Sequence, residues 1–355
     1  MSSVRKIALL DMDAFFAAAE QLRHPELKNR PFAIGGSPQK RGVIATANYL
    51  ARRFGVKSAI SSARALQLCP QLTLIPGDYS YYKQLSGQVA DIIHRYCDKV
   101  EQASIDEFYL DLTDSPHFQG SASLIMEAIR SEIRELGITA SAGISSIKMV
   151  AKIASDDNKP DGQKVVPPEE LFSYLAKLPL KRIPGVGPSS LAKLQGGGFY
   201  LGADIQQAEL GDLTSLLGER HGQSLFNRCQ GIDPREVVTE RVRKSKGVEN
   251  TLAEDIDQLS QAEAIISDEL YPELLRRLGE PVASQFKIHS QTVKLKFNDF
   301  SQTTASHSCN RLSAVLFIQL LRDAWQRSAG RSVRLIGISV ALADEGEQRQ
   351  LELDL

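Results

Sequence analysis

The stretch Ala103-Ser104-Ile105-Asp106-Glu107-Phe108-Tyr109-Leu110-Asp111 sets two carboxylates side by side within a β-branched and aromatic run. Ile105, Phe108 and Tyr109 read as a strand or a tight hairpin. Adjacent residues on a regular strand point to opposite faces, so Asp106 and Glu107 converge on one ligand only where the backbone turns or bulges. A second acidic pair, Asp11-Met12-Asp13, ends the first apolar strand, Ile7-Ala8-Leu9-Leu10. If the two strands are neighbours in one sheet, Asp11, Asp106 and Glu107 make a hard, oxygen-only cluster. That cluster suits Mg²⁺, which binds through one or two carboxylates together with substrate phosphates. Either pair taken alone reads as a solvated strand end.

The 355 residues are 42% hydrophobic, enough for two or more domains, and the formal charge of −1 argues neither for nor against nucleic acid. Any basic surface is therefore local. Cys69, Cys97, Cys229 and Cys309 lack C-x-x-C spacing and read as buried, reduced thiols of a cytosolic protein rather than zinc ligands or disulfides. The polar residues before the first strand read as no signal region, and no apolar run approaches membrane-spanning length.

The first strand leads into the helix former Ala14-Phe15-Phe16-Ala17-Ala18-Ala19-Glu20. One of its phenylalanines either packs in the core or floors a pocket beside the acidic cluster. A strand over 32–36 follows. The next strand, 43–45, passes into a helix whose first turns carry Thr46, Tyr49 and Arg52. The last two share a helical face and read as a triphosphate clamp or as a solvated basic face. A helix from Tyr79 to Val100 delivers the chain to the acidic hairpin. Helix 121–136, strand 139–144 and helix 148–155 come next, an order that predicts a split βαβ sheet with helices on one face. Lys159 tips the polar turn that follows, where it would be a counter-charge beside a phosphate site.

Past a boundary at Pro167-Pro168, Ile183-Pro184-Gly185-Val186-Gly187 has the helix-hairpin-helix pattern. Its glycines permit the turn, and the free amides of the next helix, with Lys181 and Arg182 nearby, would hold a DNA phosphate without reading bases. An ordinary glycine-rich helix connection has the same pattern. Residues 240–247, with Arg243, Lys244 and Lys246, read as a basic linker running into a strand. In 292–297 Val293, Leu295 and Phe297 face a core, while Lys294 and Lys296 share an open face. Helices 261–278 and 312–327 and strand 333–342, with Arg331 and Arg334 at its start, complete a small α+β domain. The terminal Gln350-Leu351-Glu352-Leu353-Asp354-Leu355 reads as a docking peptide or a frayed tail.

Assembled, these motifs resemble the Y-family of translesion DNA polymerases over essentially the whole chain. The resemblance rests on Asp11-Met12-Asp13 with Phe15-Phe16, on residues 45–49 with Arg52, and on Ser104-Ile105-Asp106-Glu107. It rests further on residues 154–160, the 183–187 hairpin and the Gln-Leu terminus. It implies an α+β right hand with a ferredoxin-like palm at 1–14 and 75–165, fingers at 15–74 and a helix-hairpin-helix thumb at 166–231. A linker at 232–243, a DNA-binding little finger at 244–343 and a clamp-binding tail at 344–355 complete it. By resemblance, Asp11, Asp106 and the Met12 carbonyl hold two Mg²⁺ ions and Glu107 completes the catalytic site. Phe16 is the steric gate against ribose. Tyr49, Arg52, Lys159 and Thr46 contact the triphosphate, and Asp13 gives structural support. The DNA contacts implied are Gly185, Gly187, Lys181, Arg243, Lys244, Lys246, Lys294, Lys296, Arg331 and Arg334. Gln350, Leu351, Leu353 and Leu355 would engage a sliding clamp.

The implied activity is addition of dNMP from dNTP to a primer 3′-hydroxyl on primer-template DNA. It would proceed at low fidelity and without proofreading, by a cytoplasmic monomer. A DNA-binding scaffold without catalysis and another palm-type nucleotidyl transferase are the alternatives. Gly196-Gly197-Gly198 and Gly202-Ala203-Asp204 depart from the family pattern in the thumb.

Overall fold

An apolar hexapeptide with one carboxylate near its end, Ile7–Met12, forms β1 at the centre of a five-stranded sheet. The computed structural model describes residues 4–240, 242–279 and 288–342. They divide into two compact units. One is Met1–Gly35 with Ile44–Ile60 and Ala65–Glu240; the other is Gly36–Val43 with Ser61–Arg64 and Arg241–Leu355. After β1 come α1 (Phe15–Arg23), β2 (Phe32–Gly35), β3 (Ile44–Ala47), α2 (Tyr49–Arg52), α3 (Ser62–Leu68) and β4 (Thr73–Ile75). Then follow α4 (Tyr79–His94), β5 (Val100–Gln102), β6 (Glu107–Asp111), α5 (Ala122–Glu135), β7 (Ala140–Ser145), α6 (Lys148–Ser155) and β8 (Gln163–Val166).

The main sheet has the order β5-β6-β1-β7-β8, and β2, β3 and β4 form a separate three-stranded sheet. On one face of the main sheet Ala8, Leu10 and Met12 pack against Leu85, Val89 and Ile93 of α4 and Ile125, Ile129 and Ile133 of α5. On the other face Ile7 and Leu9 meet Ala151 of α6. The expectation of helices on one face therefore needs correcting: α6 covers the second. Every residue of β1 is buried, and a strand apolar on both sides requires cover on both. At Gly143 of β7 a β-carbon would stand 2.0 Å from the Ala151 carbonyl oxygen, so only glycine lets α6 approach this closely.

Among the boundaries that differ from the sequence reading, three change what an element is or where it ends. Thr46 lies on β3, not in a helix, because Asn48 caps α2 with its Oδ1 accepting the Ala51 N–H at 2.9 Å. Helix α4 stops at His94, and Val100 is drawn into the sheet opposite Leu110. The expected helix 261–278 is α12 (Leu259–Ala264), a wide π segment Ile265–Leu270, then α13 (Tyr271–Leu278). The wide turn lies just ahead of Pro272, which has no N–H to offer a regular ladder.

Residues 166–231 carry five short helices. These are α7 (Leu171–Ala176), α8 (Pro188–Gly196), α9 (Gly202–Gln207), α10 (Leu210–Leu217) and α11 (Glu219–Cys229). Their core of Leu175, Leu194, Ile205, Leu213 and Leu225 is continuous with Val150 and Ile153 of α6. In the second unit β9 (Ser245–Ile256), β10 (Ile288–Phe297), β11 (Gln302–Ser308) and β12 (Val333–Leu342) make an antiparallel sheet. Its order is β11-β10-β12-β9. Val293, Leu295 and Phe297 pack beneath α12, α13 and α14 (Ala314–Trp325). No helix among the described residues is long and apolar enough to cross a membrane. Gln350, Leu351, Leu353 and Leu355 lie outside the described residues.

Candidate active site

Strands β1 and β6 run in a register that sets Asp11 directly opposite Glu107. Asp106 is the last residue of the preceding turn, and its carbonyl accepts the Met12 N–H at 3.0 Å. The two adjacent acids escape strand alternation because only Glu107 belongs to the strand. The turn is anchored from α4, where buried Ser86 donates to the Ile105 carbonyl, and from within, where Ser104 donates to the Asp106 carboxylate. Asp11, Asp106 and Glu107 thus come together from two strands and one turn.

Lys152 and Lys159 join them. Lys152 Nζ donates to Asp11 Oδ2 at 2.9 Å and to Glu107 Oε1 at 2.6 Å. Lys159 Nζ stands 2.7 Å from Asp11 Oδ1 and 3.0 Å from Asp156. Burial pushes the Glu107 carboxyl above its ordinary range; Lys152 pulls it down, while Asp11 and Asp106 push it further up. For Lys152 burial acts against the charge, yet Asp11 and Glu107 outweigh it and hold its ammonium above the usual value. Sequence reasoning missed Lys152. Its signal was a lone charge in Met149–Ser155, a segment buried on two sides, where a lysine requires a partner.

Asp13 is satisfied otherwise. It accepts from Thr139 Oγ1 and Ser141 Oγ, each at 2.8 Å, and from the Asp161 N–H at 2.7 Å. The Asp161 carboxylate in turn accepts from Arg130 and Arg134. Together these bonds brace the turn that carries Lys159.

Phe16 is half-buried and stacks on Tyr82, with ring centroids 4.4 Å apart and planes 14° apart. The Tyr82 hydroxyl donates at 2.7 Å to Glu20, whose carboxylate is buried. Thr46, Tyr49 and Arg52 are gathered on one rim. The Arg52 guanidinium lies 5.0 Å from the Tyr49 ring centroid and bonds the Ala47 carbonyl and Thr46 Oγ1. The Tyr49 hydroxyl is buried without a hydrogen-bond partner. Burial and the charges of Asp13 and Asp11 push its pKa up to about 12, against the Arg52 charge. A neutral phenol donor beside a guanidinium suits a phosphate oxygen.

The donor set here is oxygen only, which suits Mg²⁺. Among the described residues no three acidic, histidine or cysteine side chains gather closely enough to hold an ion unaided. A metal at Asp11, Asp106 and Glu107 would thus complete its coordination from a substrate.

The remaining candidates stand apart from this cluster in the chain. Gly185, with φ +94°, turns the hairpin, and exposed Gly187 caps α8 with open space where a side chain would stand. Lys181, Arg243 and Lys244 are exposed. Lys246 donates to the Arg277 carbonyl at the end of α13. Lys294 pairs with Glu249 at 2.9 Å. Lys296 and Arg334 flank the exposed Phe300 ring at 5.0 and 4.9 Å. Arg331 bonds Ser301 and the Ser328 carbonyl.

Residues 10–156 match the impB/mucB/samB family and 243–353 its C-terminal domain, while 181–233 match the thumb domain of DNA polymerase-iota. DNA polymerase IV of Shigella flexneri is 51% identical over 354 residues, covering 99% of this chain and 100% of that protein. DNA polymerase IV of Escherichia coli O157:H7 gives the same values. Among solved structures, a Y-family DNA polymerase chimera is similar with a TM-score of 0.82 at 27% identity, covering 95% of this chain and 98% of that one. An insertion ternary complex of Dbh DNA polymerase gives 0.64 at 26% identity, with the same coverage.

Proposed function

The chain belongs to the Y-family of DNA polymerases, the impB/mucB/samB family, and from that premise we propose that it extends a primer 3′-hydroxyl with dNMP from dNTP on damaged as well as intact templates, using two Mg²⁺ ions. The observation that carries this reading is the meeting of Asp11, Glu107 and Asp106 at the end of β1. Asp11 and Asp106, with the Met12 carbonyl, would hold both ions and Glu107 would complete the catalytic one. The chemistry Mg²⁺ supplies when bound is a more acidic primer hydroxyl and a neutralised pyrophosphate leaving group. Tyr49, Arg52, Thr46 and Lys159 orient the triphosphate. The Phe16 ring, backed by Tyr82, leaves no room for a 2′-hydroxyl.

The backbone amides at Gly185 and Gly187, with Lys181, support a sequence-independent grip on duplex phosphates. Arg243, Lys244, Lys246, Lys294, Lys296, Arg331 and Arg334 extend that grip in the little finger. The polymerase works as a cytoplasmic monomer that borrows processivity from a sliding clamp through Gln350, Leu351, Leu353 and Leu355. Labelled-primer extension tests the reading: product growing only with template and all four dNTPs supports it, while template-independent cyclic nucleotide points to another palm enzyme. Deleting residues 350–355 is expected to spare distributive synthesis and to abolish stimulation by the clamp. Equal stimulation of both proteins refutes the docking role.

A further inference from the structure

We infer that Lys152 competes with divalent metal for the catalytic carboxylates, so that metal binds Asp11 and Glu107 weakly until a nucleotide draws the lysines away. The inference rests on the polymerase reading for the identity of the nucleotide. Its geometry is independent of that reading. One ammonium reaches Asp11 Oδ2 at 2.9 Å and Glu107 Oε1 at 2.6 Å, and Lys159 reaches the other Asp11 oxygen at 2.7 Å. A cation bridging Asp11 and Glu107 would have to share Asp11, both of whose oxygens already have charged partners, and would compete with Lys152 for Glu107. Asp11, Asp106 and Glu107 contribute −3 and Lys152 offsets one of these charges, while Lys159 divides its own between Asp11 and Asp156, so a dication meets a much reduced negative charge. An incoming triphosphate reverses that balance, since it brings further negative charge for the lysines and further oxygens for the metal.

The exchange is mechanically simple. Helix α6 is held on both sides, by the sheet at Ala151 and by the thumb core at Val150 and Ile153, so its backbone stays in place. The Lys152 side chain is about a quarter exposed and can swing its ammonium outward by rotamer change alone. Lys152 is thus a positioning residue: its ammonium occupies carboxylate oxygens of Asp11 and Glu107 until substrate arrives.

The test is Mn²⁺ binding to full-length, nucleotide-free protein, read by electron paramagnetic resonance for wild type, Lys152→Met and Lys152→Arg, with circular dichroism melts alongside. Lys152→Met is expected to bind Mn²⁺ about tenfold more tightly, the effect of removing one nearby like charge, with Lys152→Arg close to wild type. Binding by Lys152→Met that is unchanged or weaker overturns the inference, because a lysine that merely props the carboxylates would weaken binding when lost. Wild type gives a second measurement should the methionine variant not fold. Acetylation of Lys152 by acetic anhydride, read by mass spectrometry, is expected to rise on saturation with Mn²⁺, and a flat rate overturns the inference. Failure of template-directed extension would remove the polymerase reading while leaving both of these outcomes legible.

Discussion

The acidic end of the palm and the open face of the little-finger sheet both gather charge, but they do so differently. In the palm, the carboxylates of Asp11 on β1 and Glu107 on β6 meet two lysines at hydrogen-bond distance, partly out of solvent. In the little finger, charges lie along a solvated face, and several cations are already engaged at home: Lys294 by Glu249, Lys246 by helix carbonyls. Desolvated charges held by several elements act as one unit, whereas solvated ones act singly and weakly. The palm is therefore expected to fail abruptly and the little finger by degrees.

The largest effect should come from the palm itself. Asp106→Ala and Glu107→Ala are each expected to lower primer extension at least about a thousandfold while leaving DNA affinity near wild type by gel shift. Substantial extension by both variants would break the contrast at its root. Phe16→Ala comes next and should relax discrimination against ribonucleotides by about a hundredfold, measured as the ratio of kcat/KM for dNTP and rNTP. An unchanged ratio removes the gate. Tyr82→Phe tests the support behind it. The variant leaves the buried Glu20 carboxylate without its donor, at a cost of about 1–3 kcal/mol in denaturant unfolding. The smallest effect belongs to the little finger. Glu249→Ala should change stability by about 0–1 kcal/mol, yet free Lys294 to meet a phosphate. The salt dependence of duplex binding should then steepen by about one counterion. A slope that does not move would show that Lys294 never faces DNA.

What was legible from sequence follows the same division. Asp11, Asp106 and Glu107 could be read because each acid interrupts or ends an apolar strand, and strands of that kind pair in one sheet. Asp13 shared the motif but not the role, and only its three donors show why. Lys152 was hidden because Lys148–Ser155 reads as an ordinary amphipathic helix until β1 proves apolar on both faces and requires α6 against it. The Lys294–Glu249 pair was beyond reach for a different reason. The two residues lie on β10 and β9, which are not neighbours, and they meet across Gly337 of β12, where a β-carbon would stand 2.8 Å from Glu249 Cγ. No local pattern encodes a contact that depends on a third strand lacking a side chain.

The double use of α6 has a practical consequence for dissecting the enzyme. A catalytic fragment ending near residue 166 would strip the thumb from Val150, Ile153 and Val166, leaving an oily stripe on the helix that also presents Lys152. Such a fragment invites aggregation for reasons unrelated to its chemistry. Minimal versions of this protein should be cut beyond Val238, because the Glu236 carbonyl still accepts from Lys148 of α6, Val237 still packs with Ala151, and the Val238 N–H still bonds Glu101.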